Sequence, residues 1–230
     1  NLGINAHYLG FLGPSPSRLH PERREIILLT GSREDWRENL QFLVETLQYS
    51  SPSLLRPFSI HFVFSPERRK EEIETEMKKT KGNFSFSRGD YLEHLSRGAL
   101  VVGFAGTAME QAAFLGIPSL QPYREGAIQS NPYFINQRQK LLLGEALIPG
   151  SDTPKETAKI LEEVLLNLPF YQKRAREFSK RTWEEKGEGA KNIARDLVEE
   201  FQKSLPNKFH KISLSPDTVP AGAGCHSGKQ

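Results

Sequence analysis

Two short polar turns interrupt apolar runs in this chain, and both use residue types that handle anions. The first is Thr30-Gly31-Ser32-Arg33 in "LLTGSRE", where an apolar run ends and an amphipathic one begins. Glycine lets the backbone approach a ligand closely, free amides at a helix start attract negative charge, and Arg33 adds a planar fork of donors. That is the chemistry of phosphate binding. The stretch has neither the spaced glycines of a dinucleotide fingerprint nor the Gly-Lys-Ser/Thr of a P-loop. An ordinary strand-to-helix turn capped by Ser32 would use the same residues equally well.

The second turn is Phe104-Ala105-Gly106-Thr107-Ala108, inside "VVGFAGTAMEQAAFLGIPSLQPY". Thr107 can cap the following helix or hydrogen-bond a phosphate, and Glu110 and Gln111, about one turn further on, are placed to meet sugar hydroxyls. Glu110 also suits a solvent-facing position, whereas Gln111 stands beside Ala112, Ala113 and Phe114. A third stretch, "REGAIQSNPYFINQRQKLLLG", is a long loop leading into a helix with Asn136, Gln137 and Arg138. Loops at strand ends often carry binding groups, so Arg124 and a hinge at Gly126 could close over a ligand, although a surface loop and a polar helix face account for these residues too.

The elements that must position these turns follow from periodicity. Apolar runs alternate with amphipathic ones from Glu25 onward, the pattern of βαβ units and a parallel sheet. Candidate strands are "EIILLTG", "FSIHFVF", "GNFSFSR", "ALVVGFA", "PSLQPY" and "EALIPG", with helices expected over 35–48, 66–79, 91–96, 108–115 and 134–143. The fold class is therefore α/β, a Rossmann-like six-stranded parallel sheet with helices on both faces. In such a sheet the first and fourth strands flank the switch point where ligands bind, and both polar turns fall on that edge. In the charged segment "SPERRKEEIETEMKKTKG", Arg68 with Glu72 and Glu74 with Lys78 have same-face helical spacing. After Ser151 the pattern is helical, opening with a cap at Asp152 or Thr153 and Pro154 in the first turn, and a further helical region runs over 169–203, interrupted by Gly187 and Gly189.

Composition narrows the classes. The chain has 230 residues, of which 37% are hydrophobic, enough for a sizeable core, and its net charge of +3 is spread without a basic block, which argues against nucleic acid as a partner. One cysteine, Cys225, gives neither a disulfide framework nor a zinc cluster, and a reducing, cytoplasmic setting is expected. No apolar run reaches the ~20 residues of a membrane-spanning helix. His7, His20, His61, His94, His210 and His226 are scattered, so no metal site or cofactor is expected, and Trp36 and Trp183 read as packing residues. The chain starts at Asn1 without an initiator methionine and is expected to be a fragment of a longer protein.

Taken together, "LLTGSRE", "GFAGTAMEQAAFLGIPSL", "NPYFINQRQKLLLGEALIP" and "GEGAKNIARDL" resemble the carboxyl-terminal half of GT-B glycosyltransferases, most closely the lipid-A-disaccharide synthase family and its relatives of unassigned role. The opening "GINAHYLGFLGP" looks like that family's interdomain segment, so the resemblance extends from Leu2 to Phe201. It implies a linker at 1–24, a nucleotide-sugar donor-binding domain with carboxyl-terminal helices at 25–203, and a disordered tail at 204–230. Gly31, Ser32 and Arg33 would face the nucleotide and its phosphates, Gly106 and Thr107 the diphosphate, and Asn136 and Gln137 the donor side of the cleft. The family's ribose-binding Glu falls on Gln111, with Glu110 one place earlier, a departure that puts the usual UDP donor in doubt. The implied function is the UDP-sugar half of a hexosyltransferase acting on a lipid or envelope acceptor. Its catalytic residues would lie mainly in a missing amino-terminal domain, through which any membrane contact would also be made. A sugar-nucleotide epimerase and a non-catalytic module on the same scaffold are the rival readings. Without its partner domain, the region from Pro169 to Lys203 is expected either to pack back on itself or to expose an apolar face and favour a homodimer.

Overall fold

A computed structural model describes residues 22–204 apart from 83, 90, 105, 125–134 and 187–188, and for 135–136, 183–191 and 200–204 it describes the backbone alone. The expected linker up to residue 21, the tail from 205 and the Gly126 hinge lie outside the described residues.

Six strands form one sheet: β1 Glu25–Leu29, β2 Ser59–Phe64, β3 Ser85–Arg88, β4 Gly98–Gly103, β5 Ser119–Gln121 and β6 Leu147–Pro149. Their order is β3-β2-β1-β4-β5-β6 and every pairing is parallel. This is the doubly wound arrangement expected from the alternating pattern, with the chain reversing direction across the sheet between β1 and β4. Parallel strands covered on both faces need side chains that are apolar on both, and β1 and β4 are such runs.

The helices are α1 Trp36–Tyr49, α2 Pro52–Leu55, α3 Lys70–Lys79, α4 Tyr91–Arg97, α5 Thr107–Phe114, α6 Lys140–Leu143, α7 Pro154–Leu166, α8 Leu168–Lys186 and α9 Gly189–Ser204. A π-helical turn, Ile135–Gln139, runs into α6, and a 3-10 turn, Gly144–Ala146, follows it. Strand alternation divides the core in two. Ile26 and Leu28 of β1 pack with Leu40 and Leu43 of α1 and Leu161 and Val164 of α7. Ile27 and Leu29 face the other way, toward Leu95 of α4 and Met109 and Ala112 of α5. Ala113, Leu143 and Ala175 join α5, α6 and α8 in a third cluster. Trp36 is fully buried and meets Phe64 edge to face, as its packing role requires. The α9 helix belongs to a separate unit from the one that carries the sheet.

Two local expectations change and a third is narrowed to one of its alternatives. The N-cap of α1 is Asp35 rather than Ser32, which lies in the turn before it. Helix α3 starts at Lys70 and not at 66, because Pro66, Glu67 and Arg68 form a turn closed by Arg68 N donating to the Ser65 carbonyl at 3.1 Å. Arg68 is therefore outside the helix, Glu72 pairs instead with Arg69 and Arg37, and Glu74 meets Lys70 at 3.7 Å. At α7, Thr153 is the cap, its hydroxyl accepting from Glu156 N at 3.3 Å, with Pro154 in the first turn.

Candidate functional site

The two polar turns emerge from neighbouring strands. Leu29 at the end of β1 is in register with Gly103 at the end of β4. A Cβ on Gly103 would lie 2.7 Å from Leu29 Cβ and 2.8 Å from its carbonyl oxygen, so only glycine lets the strand ends approach this closely. Just beyond, Gly31 turns the chain with φ of 84°, a conformation open to glycine and strained for most other residues. Helices α1 and α5 start directly after the two turns, and neither N-cap, Asp35 or Gly106, makes a side-chain capping hydrogen bond. Thr107 is the first residue of α5 and does not cap it. Two helix starts thus present first-turn amides without side-chain caps at the carboxyl edge of adjacent strands, where partial positive charge accumulates.

Gly31, Ser32 and Arg33 are brought beside Gly106 and Thr107 in this way. Ser32, Arg33 and Thr107 are exposed, and Glu110 and Gln111 are partly exposed. The Arg33, Glu110 and Gln111 side chains have no hydrogen bond or ion pair among the described residues. Gln137 is exposed on the π-helical turn, which packs against α6 and β6, two strands from β4. The backbone of Asn136 belongs to the same turn, and its side chain lies outside the described residues. Gln137 therefore stands apart from the paired turns.

The principal feature absent from the sequence reading is a clasp across the sheet edge. Arg124, just past β5, donates from its terminal nitrogen to Asp35 Oδ2 at 2.9 Å and from Nε to Asn39 Oδ1 at 3.2 Å. Asn39 is buried, and its Nδ2 donates to the Thr30 carbonyl at 2.9 Å. Arg124 is thus pinned to α1 rather than poised in a free loop. Arg68 provides a second tie, donating to the Ser32 carbonyl at 2.5 Å and pairing with Glu34 at 3.4 Å. The sequence placed Arg124 in the right neighbourhood, but nothing in local spacing pairs it with residues 35 and 39. Deeper at the same edge, the Thr30 hydroxyl and both amide atoms of Gln121 are buried without a hydrogen-bond partner among the described residues.

Two of the histidines also come together, away from this edge. His61 on β2 stacks on His94 of α4 with ring centroids 4.4 Å apart. The Ser85 hydroxyl donates to the Ile60 carbonyl, so it accepts from His61 Nδ1, leaving Nε2 to accept from the Ser87 hydroxyl at 2.9 Å. Burial, then the neighbouring His94 and Arg97, push the His61 pKa down to about 4. Burial and the two neighbouring bases, rather than the serine hydroxyls, favour the neutral ring, since a hydroxyl can accept from a protonated Nε2 as readily as it donates to a neutral one. An open groove between α1 and α3, lined by Arg37, Gln41, Glu45, Glu76, Lys79 and Lys81, contains none of the expected site residues.

No protein-family model matches the chain, and no curated protein matches it. Solved structures do. WaaG, a glycosyltransferase involved in lipopolysaccharide biosynthesis, aligns with a TM-score of 0.52 at 18% identity over 73% of this chain and 50% of its own. A protein from Listeria monocytogenes assigned as a UDP-N-acetylglucosamine 2-epimerase gives 0.53 at 16% identity, over 81% of this chain and 49% of its own. The O-GlcNAc transferase of Thermobaculum terrenum gives 0.54 at 12% identity, over 85% and 39%. The likeness is one of fold: this chain has the Rossmann-like domain of GT-B proteins, and it spans half or less of the length of these three proteins. It does not single out the lipid-A-disaccharide synthase family.

Proposed function

We propose that this chain is the nucleotide-sugar donor-binding half of a GT-B glycosyltransferase. The observation that carries the reading is the pairing of the Gly31–Arg33 and Gly106–Thr107 turns on adjacent strands at the switch point, each opening a helix without a side-chain cap. A diphosphate placed there meets two sets of backbone amides and the Arg33 guanidinium, while Glu110 and Gln111 offer partners for sugar hydroxyls. The same donors would stabilise the departing nucleoside diphosphate during hexosyl transfer. The base that takes the acceptor's proton is assigned to an amino-terminal domain of the whole protein, so this chain binds donor without turning it over. UDP-linked sugars are the first donors to test, because two of the matched proteins are named for UDP-N-acetylglucosamine or N-acetylglucosamine chemistry. A lipid or envelope acceptor and the lipid-A-disaccharide synthase relationship rest on the sequence resemblance, and a cytoplasmic location on the single cysteine.

The epimerase reading is kept by the Listeria monocytogenes match. It would require an acid-base pair at the cleft, and of the carboxylates beside the two turns Asp35 is tied to Arg124 and Glu34 to Arg68, which leaves Glu110 without a second acid or base beside it among the described residues. Calorimetric titration with UDP, UDP-N-acetylglucosamine, GDP and ADP tests the proposal. Saturable binding of one nucleotide, weakened about tenfold by Arg33→Ala and measurably by Gln111→Ala, is expected. Absence of binding to every nucleotide would remove the donor-site reading for this chain. Deuterium entering the sugar of UDP-N-acetylglucosamine in heavy water would favour the epimerase.

A further inference from the structure

We propose that the Arg124–Asp35 ion pair is an exchangeable contact, in which the diphosphate of an arriving donor takes the Arg124 guanidinium from Asp35. The inference rests on the donor-site reading above and adds to it a residue and a charge exchange.

The geometry begins with strand order. Strand β4 lies between β1 and β5, so with strands about 4.8 Å apart the ends of β1 and β5 are separated by about 10 Å. Arg124 follows β5 and its partners Asp35 and Asn39 belong to the start of α1, just after β1. The contact therefore joins chain segments that follow the two strands flanking β4, whose own end leads toward the Gly106 turn. Asp35 stands two residues past Arg33, so the clasp is held next to the first of the two turns assigned to the diphosphate.

Asp35 is the second part. As the N-cap of α1 it would ordinarily accept from a first-turn amide, but it makes no such bond and faces Arg124 instead. A carboxylate at the mouth of an anion site repels the ligand unless a cation offsets it, and here one guanidinium is shared by the carboxylate and any arriving phosphate. The pair is partly exposed, with side-chain accessibilities of 26% for Arg124 and 35% for Asp35, so the net free energy holding it is small. A diphosphate carries more charge than a carboxylate and accepts the guanidinium fork through two oxygens.

The surroundings hold still while the contact changes. Asn39 is neutral and buried, and its amide nitrogen is fixed on the Thr30 carbonyl, so its Oδ1 remains available to Arg124 Nε in either state. Arg68 separately ties the Ser32 carbonyl and Glu34, keeping the Arg33 turn in place.

The test is titration of the 230-residue chain with inorganic pyrophosphate and with UDP at low salt, with thermal unfolding of each variant as a control on folding. Asp35→Asn should tighten binding of both ligands by about three- to tenfold, since it frees Arg124 and removes a repelling charge. Arg124→Ala should weaken binding about tenfold or more, and the double variant should bind no better than Arg124→Ala. Asp35→Ala should change affinity in the same direction as Asp35→Asn and serves if the amide disturbs α1. Wild-type binding that Asp35→Asn leaves unchanged or weakens would overturn the exchange, leave the donor site standing and make the clasp a structural tie. No binding of pyrophosphate or UDP by any variant would remove the donor-site reading itself, and the exchange with it.

Discussion

Asn39 joins the first and fifth strand ends through a single amide, its nitrogen on the Thr30 carbonyl and its oxygen receiving Arg124. Replacing it with Leu keeps the volume but leaves the buried Thr30 carbonyl without that donor, so a loss of about 2 kcal/mol is expected in urea unfolding. A loss well below that would mean that another donor reaches the carbonyl. The His61 ring makes a prediction of opposite character, in pH. Its folded pKa is lowered to about 4 from 6.5, so as pH falls through that window the unfolded chain takes up a proton that the folded chain refuses. Stability contributed by the neutral ring is thus complete above the unfolded value and is lost on acidification. The ring is only partly buried and solvent screens it, so about 1 to 2 kcal/mol should go between about pH 7 and pH 4.5. His61→Gln should flatten that part of the pH dependence, and an unchanged slope would assign the acid sensitivity elsewhere. At this scale the sequence showed what is local. Gly31, Ser32 and Arg33 stand out because three consecutive residues announce the turn, whereas Asp35 and Arg124 are 89 positions apart and His61 meets His94 only through the fold.

The elements were more legible than the contacts, and the reason lies in β1 and β4. Strands buried on both faces cannot hide their identity, since every position must be apolar, and "EIILL" and "GALVVG" are short, continuous and bounded by turns. Their adjacency also followed, because a doubly wound sheet reverses between its first and fourth strands. The beginning of α3 did not follow, as charged residues suit an exposed helix and an exposed turn alike, and only the Ser65 carbonyl decides that Arg68 remains outside. The π-helical turn before α6 was equally hidden, because "INQRQ" has no feature that distinguishes an extra residue per turn from ordinary helix. Where β1 meets β4 the structure makes a firm demand on one residue. Gly103→Ala puts a methyl carbon 2.7 Å from Leu29 Cβ, closer than any real contact, and the two backbones must part. A loss of about 2 kcal/mol or more is expected by denaturant unfolding, together with weakened nucleotide binding, since the two turns separate with the strands. Loss of stability with undiminished binding would show that the site does not depend on the close approach of β1 and β4.

At the scale of the whole molecule, the sheet carries the buried core, and the helix nearest the carboxyl end exposes apolar residues. In α9, Ile193, Leu197, Val198 and Phe201 recur at the spacing of a single helical face, and Leu197 is 65% and Val198 44% exposed. Such a stripe on an otherwise polar helix is a surface for another protein element rather than for solvent. No helix among the described residues is long and apolar enough to cross a membrane, and with acidic Asp196 and Glu199 beside Arg195 this helix lacks the one-sided positive charge that favours a lipid surface. A second copy of the chain suits this stripe, since two amphipathic helices of about four turns can bury their stripes against each other. Sedimentation velocity should therefore show reversible association as concentration rises through the micromolar range. Leu197→Glu should abolish it, because a carboxylate buried in an apolar seam loses its hydration without gaining a partner. The same substitution should leave the thermal midpoint of the sheet-bearing unit within about a degree of the parent value, since an exposed position contributes little to that unit's core. A chain that stays monomeric at every concentration would exclude self-association, and a large fall in the midpoint would mean that Leu197 is needed for folding rather than for assembly.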